Sequence, residues 1–275
     1  MDAIAAANIF LRIEAGSHGA PIESILATSD GRRLITGGKD KTVRVWDVAT
    51  RTLERTLRWQ IGPGRFGEFV GIVLHPDDKT LFVITRNIEH GDDNLRRPAC
   101  FLRIYDLDSG NLIMSHDELG WISAACFIAD GAGLLTIDHM TSTCRAFVSS
   151  ELAASANPAP WLMEASLPGE TSSIIAWSSD TEEKIVVGAW AADGDPGGLA
   201  LYSLSTTGLK EIKRVVLSQC QNHWAIAASE KRVAVAYLTP PMLAVFDREL
   251  NLIGAPVPLD DPPGALAFFD DHQLL

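Results

Sequence analysis

The residues best suited to chemistry in this sequence are a few cysteines, histidines and acids. Cys220 lies three residues before His223. Cys and His are the residue types that serve as a thiol nucleophile and its base. Cys126 and His139 form a second such pair, but they fall on different predicted elements. Nucleophilic catalysis also needs an orienting third group and an oxyanion site, and no motif for either accompanies these pairs. We therefore predict no catalytic residues and four structural cysteines.

Two acidic stretches contain residue types that bind metal ions. His90 precedes Asp92 and Asp93, while Asp193 and Asp195 form the second stretch. Neither has the ligand spacing of a calcium loop, and no His or Cys pair has the intervals of a zinc site. We predict solvated loops at both places, with no metal and no cofactor.

A glycine-rich stretch at residues 62–67 matches the pattern G-x-G-x-x-G. In dinucleotide-binding proteins this pattern follows a parallel strand and opens a helix whose N-terminus holds the pyrophosphate. Here it is followed by the apolar run Phe69 to Leu74, which is typical of a strand. The stretch is therefore predicted to be a loop between two strand units.

Composition and charge exclude several classes of protein. The 275 residues include 23 Lys+Arg and 35 Asp+Glu, so the net charge is −12. An acidic chain repels phosphates, which argues against nucleic-acid binding. No apolar run approaches the ~20 residues of a membrane span, and Asp2 stands where a secretory signal carries a base. We expect a cytoplasmic protein that contacts neither nucleic acid nor membrane.

The elements that must position these residues repeat along the whole chain. Turn signals begin at Asp30, Asp77, Asp130, Ser179, Ser229 and Asp270, with gaps of 47, 53, 49, 50 and 41 residues. Each of the first five turns lies between two short apolar runs, and a third run then closes on an aromatic residue. Short runs rich in Val, Ile and Leu between Gly, Asp and Pro indicate strands.

A weaker fourth run completes each unit, as at Leu53 to Trp59 or Leu112 to Met114. Four short antiparallel strands every 40–50 residues are the pattern of a β-propeller blade. The sequence thus predicts an all-β fold without long helices.

The first unit resembles a WD repeat, the family with a Gly-His opening and a Trp-Asp close. Gly16-Ser17-His18 precedes the first strand, and Trp46-Asp47 ends the third. The resemblance implies a hydrogen-bonded relay of Asp40, His18, Thr36 and Trp46. Later units keep an aromatic-Asp close at Tyr105-Asp106 and Phe246-Asp247, but none has a clear Gly-His opening.

The resemblance implies one WD-repeat propeller over residues 1–275, with five complete four-stranded blades and a partial sixth. The sixth unit stops within its second strand at Leu275, whereas Asn8 to Ile13 could complete a last blade. We therefore expect a piece of a six- or seven-bladed ring. In bacterial proteins such modules are often attached to a protease, kinase or NTPase effector domain.

In WD-repeat propellers the connections between blades and between second and third strands share one rim, where partners dock. The residues expected to face a partner there are Lys39, Arg65, Phe66, Arg96, Trp121, Trp190, His223 and Trp224. The mixed-charge segment from Arg86 to Pro98 is a candidate recognition loop. With the net charge of −12, these positions favour a protein or peptide of basic character.

Two other functions remain open. One is a propeller hydrolase or metal-dependent enzyme with its site at the channel mouth, where Pro21, Glu68, Trp121, Thr171 and Asn222 are expected. These residues provide one acid, one hydroxyl and one amide, which is a sparse set for catalysis. The other is a structural module that assembles with copies of itself. The leading prediction is a non-enzymatic interaction scaffold.

Overall fold

The structure is a computed structural model. It describes residues 16–62, 66–87, 99–116, 120–138, 141, 143–154, 163–167, 170–178, 183–190, 198–205, 208–216, 221–261 and 265–268.

The described strands form five antiparallel four-stranded sheets, each built from strands that are consecutive in the chain. We call these sheets blades 1 to 5. Blade 1 contains β1 (Ile22–Ala27), β2 (Arg33–Gly38), β3 (Thr42–Asp47) and β4 (Thr52–Leu57), and blade 2 contains β5 (Glu68–Leu74), β6 (Thr80–Asn87), β7 (Ala99–Asp106) and β8 (Leu112–His116). Blade 3 contains β9 (Ile122–Ile128), β10 (Gly133–Asp138), β11 (Thr143–Val148) and β12 (Met163–Ser166). Blade 4 contains β13 (Glu170–Ser178), β14 (Glu183–Trp190), β15 (Gly198–Ser205) and β16 (Gly208–Val215), and blade 5 contains β17 (Gln221–Ala228), β18 (Arg232–Thr239), β19 (Pro241–Asp247) and β20 (Val257–Pro258).

The blades are arranged as a β-propeller. The first strand of each blade contacts the first strand of the next, so β1 meets β5, β5 meets β9, β9 meets β13 and β13 meets β17. This arrangement confirms the predicted all-β propeller with five complete blades. The predicted partial sixth blade falls at residues 265–275, of which the structure describes 265–268.

Helical structure is short in the described residues. A 3-10 turn spans Ala129–Gly131, and helix α1 (Ser149–Ala154) lies in the connection between the third and fourth strands of blade 3. None of the helices in the described ranges is long and apolar enough to cross a membrane.

The hydrophobic core lies in the seams between neighbouring blades. In β6, Leu81 and Val83 face blade 1, whereas Phe82 and Ile84 face blade 3. Strand neighbours point to opposite faces, so a strand covered on both faces needs apolar residues at every position. This is why the second and third strands appear in the sequence as continuous apolar runs.

A β-bulge recurs near the start of the first strand in every described blade. In each case the pairing with the second strand skips one residue, at the second to the fourth position of the first strand. The extra residues are Glu23, Val70, Ser123, Ser172 and Trp224. A bulge bends the strand and redirects side chains. The five bulges therefore lie at one edge of the propeller, the edge at which the first strands begin.

A second bulge lies in the outer strand of blades 1, 2 and 4. There the pairing between third and fourth strands skips Glu54, Ile113 and Ile212. Ile113 and Ile212 are 44% and 45% exposed. A bulge twists an edge strand away from flat pairing with another chain, which offsets the aggregation risk of an open edge.

Candidate interaction rim

The edge at which the first strands begin is called the rim here, and it also carries the turns between second and third strands. The opposite side is called the turn face, and it carries the turns between first and second strands and between third and fourth strands.

Four side chains lie in one hydrogen-bonded row behind the rim of blade 1. The Trp46 indole N–H donates to Thr36 Oγ1 at 2.8 Å, and Thr36 Oγ1 lies 2.8 Å from His18 Nε2. His18 Nδ1 is 3.1 Å from both oxygens of Asp40.

The row has a consistent direction of donation when the His18 proton is on Nδ1. In that tautomer the Thr36 hydroxyl donates to His18 Nε2 while its oxygen accepts from Trp46, and His18 Nδ1 donates to Asp40.

Asp40 anchors the turn between β2 and β3. Burial disfavours its charge, but hydrogen bonds from Thr42, Gly19 and His18 outweigh burial and hold the pKa of Asp40 below its ordinary value. The guanidinium of Arg44, which is buried, lies 3.8 Å from the same carboxylate.

Two lysines flank Asp40 and connect the turn to its surroundings. Lys39 is 53% exposed in its side chain and pairs with Glu23, the bulge residue of β1, at 3.1 Å. Lys41 donates from Nζ to the carbonyls of Gly62 and Phe66 at 3.2 and 2.8 Å. Lys41 thus fixes the connection between blades 1 and 2.

The same connection is held from its other side. The Trp59 indole donates to the Gly67 carbonyl at 2.9 Å, and the Gly67 amide donates to Asn87 Oδ1 at 2.7 Å. The described ends of the glycine-rich stretch, Gly62 and residues 66–67, are therefore held by hydrogen bonds. The stretch is followed by strand β5 and not by a helix, so it lacks the context of a dinucleotide site.

A ladder of charged and aromatic groups crosses the rim between blades 2 and 3. Arg86 Nε donates to Glu68 Oε2 at 2.8 Å, and both side chains are 20% exposed. The Arg86 guanidinium carbon lies 5.7 Å from the centre of the Trp121 ring, a cation–π distance. The Trp121 backbone amide donates to Asp138 Oδ2 at 3.2 Å, and Asp138 lies 3.6 Å from Arg145. We call Glu68, Arg86, Trp121, Asp138 and Arg145 the rim ladder.

Gly120 makes the close approach in this ladder possible. Its φ of +84° is in the left-handed region, and a Cβ there would lie 2.6 Å from Asp138 Oδ2. We expect Gly120→Ala to lower the free energy of unfolding by about 2 kcal/mol, because both the backbone and the Asp138 contact are strained. Urea unfolding measures this loss. Gly71→Ala is the control, since a Cβ at Gly71 meets no atom within 4 Å, and an equal loss in both variants would contradict the expectation.

The sequence-predicted partner residues are placed unevenly. Lys39, Phe66 and Trp121 lie at the rim, while Arg65 and Arg96 lie outside the described residues. The backbone of Trp190 ends β14, and those of His223 and Trp224 lie near the start of β17, which brings all three to the rim edge.

Sequence reasoning missed the bulge residue Glu23 and the ladder pair of Asp138 and Arg145. Asp138 gave one signal, since it closes an apolar strand with a charge. The register also corrects one channel position: Glu170, not Thr171, is equivalent to Glu68.

The candidate catalytic and metal groups give no assembled site in the described residues. Cys100, Cys126 and Cys144 are buried, and burial raises the pKa of Cys100 to about 11 and that of Cys144 to about 12. Both thiols are therefore protonated at neutral pH. His90, Asp92, Asp93, His139, Asp193, Asp195 and Cys220 fall outside the described residues. Among the residues that are described, no three His, Cys, Asp or Glu side chains are grouped as metal ligands.

Comparison with known proteins agrees with the fold and the first repeat. Residues 12–47 match the family model WD40, described as "WD domain, G-beta repeat". Over 65 residues the chain is 37% identical to U3 small nucleolar RNA-associated protein 12 of Saccharomyces cerevisiae (strain ATCC 204508 / S288c), a match that spans 24% of this chain and 6% of that protein.

Two solved structures share the architecture over most of the chain. Kuenenia stuttgartiensis hydrazine synthase superposes with a TM-score of 0.62 at 13% identity, covering 92% of this chain and 70% of the other. The structure of U3-55K gives 0.59 at 13% identity, covering 92% and 86%. At this identity the likeness concerns the fold alone.

Proposed function

We propose that this chain, whose residues 12–47 match the WD40 family model, is a propeller of the WD-repeat family and a non-catalytic scaffold that binds a protein segment at its rim. Propellers of this family generally bind proteins. The rim offers fixed loops on rigid strands, which is the usual setting of a binding site.

The observation that carries the proposal is the rim ladder. Trp121 is partly exposed beside Arg86, and Arg86 is already held by Glu68. Aromatic and Arg side chains that are fixed before binding lose little conformational entropy on binding and are the residue types of interface hot spots.

Charge supports a basic segment as the partner. The net charge of −12 attracts a basic chain and repels phosphates. Lys or Arg of the partner would pair with Glu68 and Asp138, and an apolar group beside them would cover Trp121. Two of the similar proteins carry U3 in their names, one of them as RNA-associated. The acidic charge of this chain favours contacts with proteins over direct contacts with RNA.

Selection of short random peptides against the purified chain tests the proposal. We expect enriched peptides to be rich in Lys and Arg. Trp121→Ala should weaken their binding by about thirtyfold or more, and Glu68→Gln by about tenfold. Isothermal titration calorimetry measures both losses.

Lys79→Ala is the matched control, because Lys79 is an exposed charge on the turn face. Its affinity should equal that of the unchanged chain, and all three variants should unfold at similar urea concentrations. Enriched peptides that are acidic, or that bind all variants equally, would rule out the ladder as the binding site.

A further inference from the structure

The turn face joins blades 1 and 2 through two arginines and one acid. Arg33, the first residue of β2, donates from Nη1 to Asp108 Oδ1 at 2.6 Å and from Nε to Glu54 Oε2 at 3.1 Å. Arg55 of β4 donates from Nη2 to the Asp108 carbonyl at 2.5 Å. Asp108 lies in the turn between the third and fourth strands of blade 2, so the contacts cross the seam.

The seam between blades 4 and 5 has the same construction with different residues. Lys184 of β14 pairs with Glu249 Oε1 at 2.8 Å. Lys213 of β16 donates to the Glu249 carbonyl at 3.0 Å and to Asn251 Oδ1 at 2.7 Å. Glu249 lies in the turn that follows the third strand of blade 5.

Strand register shows that the two arrangements use equivalent positions. Arg33 pairs with Asp47, one residue beyond Trp46, and Lys184 pairs with Ser203, one residue beyond Tyr202.

The other two members match as well. Arg55 pairs with Val45, and Lys213 with Leu201, each one residue before the closing aromatic of its third strand. Asp108 and Glu249 belong to the next blade, blade 2 and blade 5 respectively. Each is the second residue after the Asp that follows the closing aromatic of that blade's third strand.

The other two seams between described blades lack these charges at the same positions. Between blades 2 and 3 the equivalent residues are Thr80, Met114 and Ser150, and between blades 3 and 4 they are Gly133, Met163 and Ser205. At the former seam, α1 packs against β8, and His116 Nε2 lies 2.6 Å from the Leu152 carbonyl instead.

We propose that two basic residues of one blade and an acidic turn residue of the next form an electrostatic clamp, present at the seams 1–2 and 4–5 and absent from the seams 2–3 and 3–4. The clamp makes these two seams sensitive to ionic strength, because partly exposed ion pairs are screened by salt. At the turn face the other two seams have no ion pairs at these positions, so salt should affect their turns less.

Hydrogen exchange at single turn amides tests the clamp. The reporters are Gly110, whose amide bonds to the Asp106 carbonyl, and Leu250, whose amide bonds to the Asp247 carbonyl. Asp108→Lys should speed exchange at Gly110 by about three- to tenfold at low salt, and by less at about 1 M salt. Asp108→Asn should give a smaller change of the same sign, and it serves if the charge reversal does not fold.

Ser150→Lys is the matched control, because Ser150 is exposed and holds the equivalent turn position in blade 3. Its reporter is the Ser149 amide, which bonds to the Ala132 carbonyl, and no change is expected there. Glu249→Lys should speed exchange at Leu250, and the double change Lys184→Glu with Glu249→Lys should restore most of the protection. Three results would refute the clamp: equal effects of Asp108→Lys at Gly110 and of Ser150→Lys at Ser149, an effect on exchange that salt leaves unchanged, or a charge swap that does not restore the protection of Leu250.

Discussion

Replacing Asp40 with alanine is expected to lower the free energy of unfolding by about 3 kcal/mol, because Asp40 is a nearly buried acceptor with several donors. Its carboxylate accepts from His18, Thr42 and the Gly19 amide, and it lies 3.8 Å from the buried Arg44. Only 11% of its side chain is exposed, so water cannot replace these bonds freely. Urea unfolding followed by circular dichroism measures the loss.

Trp46→Phe is the control for Asp40→Ala, since it keeps an aromatic ring, removes the bond to Thr36 and leaves the contacts of Asp40 in place. We expect it to cost about 1 kcal/mol, the value of a single hydrogen bond. If the Asp40 variant lost no more than the Trp46 variant, the carboxylate would not be the anchor of the row.

The contribution of Asp40 should depend on pH. Its folded pKa is below the ordinary value, so its stabilisation is present above the unfolded pKa and is lost as pH falls through the folded pKa. The stability difference between the unchanged chain and Asp40→Asn should therefore shrink between about pH 7 and about pH 2. A difference that grows with acid would contradict this sign.

Phe69→Ala is expected to cost about 3–5 kcal/mol, the largest loss from a single apolar truncation at the seam between blades 1 and 2. Phe69 is 1% exposed and packs with Val43 and Val45 of blade 1. The Phe69 ring also covers Gly37, where a Cβ would lie 2.2 Å from Phe69 Cζ. Truncation leaves a cavity that the neighbouring strands can fill only in part.

The contact between the two residues predicts a specific coupling. Gly37→Ala alone should destabilise the chain by about 1–3 kcal/mol, because the ring must move. In the Phe69→Leu background the same change should cost less, since a smaller side chain yields more easily. Additive losses in the double variant would show that the ring does not rest on Gly37.

The blade pattern was predictable from sequence because it depends on local rules. Apolar runs mark strands that are buried on both faces, and Asp-Gly or Asp-Asp pairs mark tight turns. The apolar run Phe69 to Leu74, which was predicted to be a strand, lies within β5 (Glu68–Leu74). The first strands of blades 4 and 5 begin with polar residues, Glu170 and Gln221, which carry no apolar signal of a strand.

The bulges and α1 were not predictable in the same way. A bulge depends on how two strands pair, and Ser123 or Ser172 carries no local sign of being the extra residue. Helix α1 is six residues long, too short to show helical periodicity, and it is held by packing against blade 2.

The candidate site was predicted in its residue types but not in its pairing. Trp121 was expected at the rim as an aromatic anchor, but its neighbour Arg86 comes from another blade. Contacts between blades join residues far apart in the chain, as Arg33 and Asp108 show. Such pairs follow from the radial arrangement and from strand register, neither of which is encoded in local spacing.

Hydrogen exchange of the chain with and without a selected basic peptide tests the proposed function most directly. We expect the bound peptide to slow exchange in the rim segments 58–62, 66–68 and 120–122 and to leave the turn-face residues 107–110 unchanged. The peptide should also be recovered chemically intact. Protection confined to the turn face or the outer strands, or conversion of the peptide into a product, would contradict a non-catalytic scaffold that binds at the rim.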